Sequence, residues 1–225
     1  MKPIVYIAIL ASCLLSAGAY GQQNDFVFQP GFTVSKNLNR SWDLSLGTQL
    51  SFNQNAQELW FAFVDASIGY RINRNLNIEI HAREIQSRQL NNSYQSRHLF
   101  YNTITYSKGF GKWSLSARNR LQQLVYGEHF SDSFKGPLWY NRNRLAIRYK
   151  INYYWSPFVS AECMLPLNRP NRKSIDQYRL AAGMSYTFNE YIRTDVYYQL
   201  QQQLARTSGN DSFYVLGLNF SVKIP

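Results

Sequence analysis

Cysteine, charge and long apolar runs are all scarce in this sequence, and each scarcity excludes something. Charged residues make up 16% of the 225, against roughly 25% in ordinary globular chains. Past the N-terminus no apolar run approaches the ~18 residues of a spanning helix, so a helical membrane protein is excluded. Two cysteines are too few for a disulfide scaffold or a cysteine-based zinc site. Aromatics, by contrast, are plentiful: the chain has 17 Tyr and 14 Phe, and 45% of it is hydrophobic. That composition excludes a disordered chain.

The N-terminus reads as an export signal. Lys2 supplies a positive start, residues 4–15 are apolar, and Ala19 and Gly21 place small residues ahead of a cut before Gln22. Residues 1–21 are therefore expected to be a cleaved signal peptide, and 22–225 a single domain. Leu10-Ala11-Ser12-Cys13 also resembles a lipoprotein cleavage box. However, Leu14, Leu15, Ala17 and Ala19 continue the apolar core where a lipoprotein would turn polar. After ordinary cleavage Cys163 is the only cysteine left.

Period-two alternation organises the rest. From Trp42 to Asn53 even positions are apolar or Thr and odd positions polar or Gly, so a strand there has one greasy and one wet side. The C-terminus repeats this, with Tyr214, Leu216, Leu218, Phe220 and Val222 alternating with Val215, Gly217, Asn219, Ser221 and Lys223. No stretch has a helical period. The pattern predicts strands near 24–35, 42–53, 59–71, 76–86, 97–107, 113–125, 138–150, 154–166, 175–188, 192–202 and 212–224. Short connections alternate with longer polar ones, the plan of an antiparallel outer-membrane β-barrel with short periplasmic turns and longer outer loops.

A soluble sandwich also alternates, but three features favour the membrane. The segments are about twice the roughly 5–6 residues of a globular strand and suit the ~9–11 of a tilted membrane strand. Trp42, Trp60, Trp113, Trp139 and Trp155 all fall at strand starts, where an interfacial aromatic girdle would sit, with Tyr70, Tyr106, Tyr149, Tyr186 and Phe188 beside them. The wet faces carry Arg, Gln, Asn and Asp, which no sandwich core tolerates. Because bacterial single-chain barrels normally use an even strand number, the expectation is about 10–12 strands. Ten would apply if residues 25–35 are not a full strand, and twelve if a break hides elsewhere.

Particular residues then match a known pattern: Arg118/Arg120 and Arg142/Arg144 on neighbouring strands, and Glu162 after Pro157-Phe158. They are followed by Tyr178-Arg179-Leu180 with Gly183 and Tyr186, and by Asp195-Val196-Tyr197-Tyr198-Gln199. With these the chain resembles family 2490 of the bacterial domains of unknown function, typical of Bacteroidota outer membranes, over residues 25–224. The resemblance implies an outer-membrane barrel and carries no activity.

Inward parity selects Asp43, Asp65, Arg71, Glu79, His81, Arg83, Arg118, Arg120, Arg142, Arg144, Arg148, Lys150, Glu162, Arg179, Arg193 and Asp195. Counting from the short turns, Arg118, Arg120, Arg144, Glu162 and Arg179 form one mid-barrel layer, with Arg144 or Arg179 expected to bind Glu162. Two readings apply: a hydrated network that holds the strands in register, or an anion-attracting constriction or ligand pocket. His81 reads as a lumen hydrogen-bond partner, since no ligand spacing surrounds it. Gly109-Phe110-Gly111 reads as a turn. Glu128-His129-Phe130-Ser131 resembles the His-x-Ser arrangement of lipid A deacylases, which makes an outer-membrane lipid hydrolase the alternative function.

The formal charge is +11, yet export and inward-facing arginines argue against nucleic acid as a partner. Outer-membrane lipids and lipopolysaccharide, and a small anionic solute, are the expected partners; no cofactor or metal is expected. The reading is a non-enzymatic outer-membrane barrel, with a structural or interaction role or a narrow anion-attracting path.

Overall fold

A computed structural model describes residues 24–89, 92–126, 136–168, 175–204 and 211–225. The segment expected to be a signal peptide, with Cys13, and the Glu128, His129 and Ser131 trio lie outside the described residues. The strands are β1 (Asn24–Asn37), β2 (Trp42–Asn53), β3 (Glu58–Arg71), β4 (Leu76–Arg88), β5 (Tyr94–Phe110) and β6 (Trp113–Tyr126), then β7 (Leu138–Tyr149), β8 (Trp155–Pro166), β9 (Gln177–Thr187), β10 (Ile192–Gln203) and β11 (Asp211–Ile224). Each pairs with the next, antiparallel, and the sheet closes on itself as a barrel.

Closure corrects the expected even count. The residues near 25–35 form a full strand, so β1 through β11 are eleven. An up-and-down chain with an odd number of strands ends pointing the way it began, so the seam must be parallel. β1 accordingly pairs β11 in parallel from Asn24↔Ser212 to Lys36↔Ile224. Parallel ladders satisfy backbone groups nearly as well as antiparallel ones, and Phe32 stacks on Phe220 across the seam at 5.8 Å. No edge is left open.

Polarity is inside-out relative to a soluble domain. Ile80 and Leu145 on the outer face are 63% and 59% exposed, whereas Thr103 and Arg120 inside are 1% and 8%. Alternation fixes this: with period two, one face of every strand goes out and the other in.

One rim carries the turns at 38–41, 72–75, 111–112, 150–154 and 188–191. Four of these share a device. Asn39 Oδ1 accepts the backbone N–H groups of Ser41 and Trp42 at 2.8 and 2.9 Å. Asn73, Asn152 and Asn189 do the same for the residues two and three ahead. An asparagine side chain thereby mimics a backbone turn. The fifth turn uses Gly111 at φ 60°, a left-handed conformation that glycine adopts without steric cost.

The opposite rim is less uniform. Residues 54–57 make a tight turn in which Gln54, Asn55 and Ala56 all have positive φ. Asp25 holds it by accepting the N–H groups of Gln54 and Asn55 at 3.0 and 3.1 Å.

Candidate functional site

Inward positions from all around the barrel enclose a cavity of about 970 Å³ that reaches the rim of residues 54–57. Arg83, Arg88, Arg97, Arg118, Arg120, Arg142, Arg144, Arg148 and Arg179 line it, against Glu58, Glu162 and Asp195. Nine guanidiniums thus face three carboxylates. A second cavity of about 400 Å³, between Tyr153, Asn189 and Lys223 at the short-turn rim, shares no lining residue with the first. Tyr197, on the lumen side, lies directly over its ladder partner Gly217, where any Cβ would collide with its ring.

Glu162 is the centre of the arginine wall. Arg118 Nη2 donates to Oε2 at 2.7 Å, Arg179 Nη1 approaches Oε1 at 3.5 Å, and Arg142 makes the shortest bond. One carboxylate therefore ties β6, β7, β8 and β9 together. Of the two partners expected, Arg144 or Arg179, it is Arg179 that makes the contact; Arg144 is the ladder neighbour of Glu162 but donates to Ser160 Oγ at 3.2 Å. A diagonal neighbour on the adjacent strand lies ~7–8 Å away, within reach of a side chain as long as arginine. Arg142 occupies that diagonal position.

The other arginines differ. Arg120 stacks over the Tyr101 ring at 4.1 Å and donates weakly to Thr103 Oγ1 at 3.4 Å, so it does not bind Glu162 as a single layer would require. Arg148 lies over Phe158. Asp195 is bound by Arg193 on its own strand, at 2.8 Å, rather than by the wall. The Nε atoms of Arg142 and Arg179 and Oε1 of Gln122 are buried without a protein partner, and all three residues line the cavity.

A second polar node lies on β3, β4 and β5. Asp65 accepts from His81 Nδ1 at 2.8 Å, from Arg83 Nε at 2.5 Å, and from the Tyr101 hydroxyl. His81 also stacks on the Tyr101 ring at 4.2 Å, and its Nε2 lies 3.4 Å from Glu79 Oε2. With both nitrogens engaged by carboxylates, the imidazole is a hydrogen-bonding strut. Among the described residues no cluster of His, Cys, Asp or Glu could hold a metal ion. Tyr101 extends this node to β6 through Arg120, which stacks over its ring.

The tryptophans divide. Trp42, Trp113 and Trp155 stand outward at the short-turn rim, each against its ladder partner: Tyr70 at 4.7 Å, Tyr149 at 4.7 Å and Tyr186 at 4.6 Å. Trp139 takes the outward parity of β7 at the other rim. Trp60 does not belong to a girdle, and this is a correction. A bulge between Ser51 and Phe52 leaves Trp60 without a ladder partner, and the indole lines the cavity, stacked on Phe213 at 5.6 Å.

Parity alone missed Arg97, which shares the face of Tyr101 and Thr103 and was readable from their spacing. It also missed Arg88 and Glu58, which pair at 2.6 Å at the mouth where the strands leave strict alternation. On the outer face it passed over Asn119, which donates to Asn143 Oδ1 at 2.8 Å and Asn141 Oδ1 at 3.2 Å.

Several solved barrels are similar in outline. OmpT, expressed in the outer membrane of Vibrio cholerae, aligns at 9% identity and a TM-score of 0.40, over 72% of this chain and 55% of its own. OccK8 (OprE) of Pseudomonas aeruginosa aligns at 11% and 0.40, over 77% and 56%. The β domain of the Bordetella autotransporter BrkA aligns at 10% and 0.42, over 77% and 79%. This chain thus spans about half the length of the first two. No curated protein matches it in sequence. The model of the family described as protein of unknown function, DUF2490, matches residues 30–212, and the chain belongs to that family.

Proposed function

We propose that the barrel spans a Gram-negative outer membrane and that its arginine-walled lumen takes small anions from the long-loop side as a narrow uptake path. The location rests on the apolar outer face and the Trp–Tyr pairs at one rim, which suit a bilayer and its interface. The function rests on one observation: nine arginines and three carboxylates surround a single cavity of about 970 Å³. Confined excess charge of one sign raises the local concentration of the opposite ion, and rings of arginine serve anion pores in this way.

The location is tested by fractionation: the mature protein should be found in the outer membrane and change gel mobility on boiling. Recovery from the soluble periplasm would refute it. The lumen is tested in planar bilayers under a KCl gradient, where the reversal potential should report anion preference and Arg142→Glu should reduce it. An unselective or cation-selective current would overturn the reading. Glu162 also favours a second, structural reading, because it clasps four strands. On that reading Glu162→Gln lowers stability and leaves selectivity unchanged.

A further inference from the structure

We infer that the anion taken by this cavity carries an apolar, planar body, so that the ligand class is an organic carboxylate rather than an inorganic ion. The inference rests on the anion reading above and adds what the opposite wall contributes. At the mouth the bulge brings Trp60 and Phe61 into the lumen together, where strict alternation would admit only one of them. Phe61 meets Trp60 edge-on at 5.5 Å, and Phe213 stacks on Trp60 at 5.6 Å from across the barrel seam. Val27 and Val215 nearby are 1% exposed.

An inorganic anion has no use for this surface. Such ions hold their water tightly, and aromatic faces carry negative charge at their centres. An aromatic carboxylate gains twice, by covering apolar area at the mouth and by taking bidentate bonds from guanidiniums. The arginine wall supplies the guanidiniums in excess: nine line the cavity against three carboxylates. The volume, about 970 Å³, lies within the roughly 300–1,000 Å³ usual for organic ligands.

Trp60 makes the test direct, because it is the tryptophan that lines the cavity. The full-length barrel in detergent is titrated with 4-bromobenzoate, whose bromine quenches a nearby indole. Saturable quenching is expected, lost in Trp60→Phe and at least ten-fold weaker in Arg142→Gln. The neutral 4-bromobenzyl alcohol should bind at least ten-fold more weakly, and a hundred-fold excess of inorganic phosphate should displace little bromobenzoate. Arg179→Gln serves as a second variant, with heat-dependent gel mobility confirming that each barrel folds.

If phosphate displaces bromobenzoate at matched concentrations, the lumen takes anions regardless of their body. The organic-ligand inference then fails while the anion reading stands. If the alcohol binds as well as the carboxylate, the site is merely apolar and the inference fails. If bromobenzoate does not quench saturably and the bilayer current is unselective, both readings fail.

Discussion

Glu162 faces Arg144 across the β7–β8 ladder, yet the β7 guanidinium that bonds it is that of Arg142, one step along the same face. Arg118 and Arg179 complete its shell. Removing the carboxylate leaves several guanidiniums close together without their common counter-ion. Breaking a fully buried pair costs about 3–5 kcal/mol, and water in the lumen should soften this to about 1–3 kcal/mol. Glu162→Gln should therefore lower the unfolding midpoint in denaturant titrations, and Arg142→Met added to it should recover part of the loss. Arg144→Met should recover less, since its guanidinium is held at Ser160. Equal recovery by the two would show that only net charge matters, not the diagonal contact.

The two faces should differ in their tolerance of charge. Leu46 is 55% and Leu218 38% exposed on the outer surface, so arginine at either should cost about 2–4 kcal/mol near the bilayer midplane. Gln49 lines the cavity, and Gln49→Arg should cost much less. Refolding into lipid vesicles at graded urea measures this. Equal costs for both parities would mean that the faces are wrongly assigned.

What the sequence disclosed follows from the distance over which each signal acts. Alternation is local, so β2 at Trp42–Asn53 has the predicted bounds and the others lie within a few residues. Register is not local. Asp65, His81 and Arg83 were each readable as inward, but their meeting at one carboxylate depends on the β3–β4 ladder, which pairs Asp65 with Arg83 and Ser67 with His81. The same limit hid the exchange of Arg144 for Arg142. Trp60 escaped because one bulge changes parity there, and a bulge is a property of the ladder between two strands rather than of one strand's sequence. The seam escaped because the even-number rule describes a population of barrels, whereas β1 carries a full strand's alternation of its own. The turn motif was legible and went unread: an apolar residue, then Asn, recurs at Leu38-Asn39, Ile72-Asn73, Ile151-Asn152 and Phe188-Asn189.

That motif supplies a third prediction. In each such turn one amide oxygen satisfies two backbone N–H groups, as at Asn152, which serves Tyr154 at 2.9 Å and Trp155 at 2.8 Å. Asn152→Ala should destabilise by about 0.5–1.5 kcal/mol, the range of a net hydrogen bond with water partly replacing it. Asn152→Asp should keep most of the stability, because the carboxylate offers the same acceptor. Equal losses for Ala and Asp, read from equilibrium unfolding, would remove the acceptor from the explanation.

The last prediction concerns Asn119, Asn141 and Asn143, which stand at mid-strand on the outer face between Ala117 and Leu121 and between Trp139 and Leu145. Asn119 Nδ2 donates to both partners, and Asn143 Nδ2 donates to Asn141 Oδ1 at 2.5 Å. In the proposed bilayer setting no water reaches them, so the amides must satisfy one another. Removing one member leaves the others short of partners in hydrocarbon, while removing all three removes the need for partners. Asn143→Leu alone should therefore cost about 1–2 kcal/mol, and the triple Leu variant should equal or exceed the native barrel in stability. Unfolding in lipid vesicles, with all three single variants alongside, decides between the outcomes. A triple variant less stable than every single one would show that these amides face water or a polar partner, and that this stretch of the outer wall does not contact lipid.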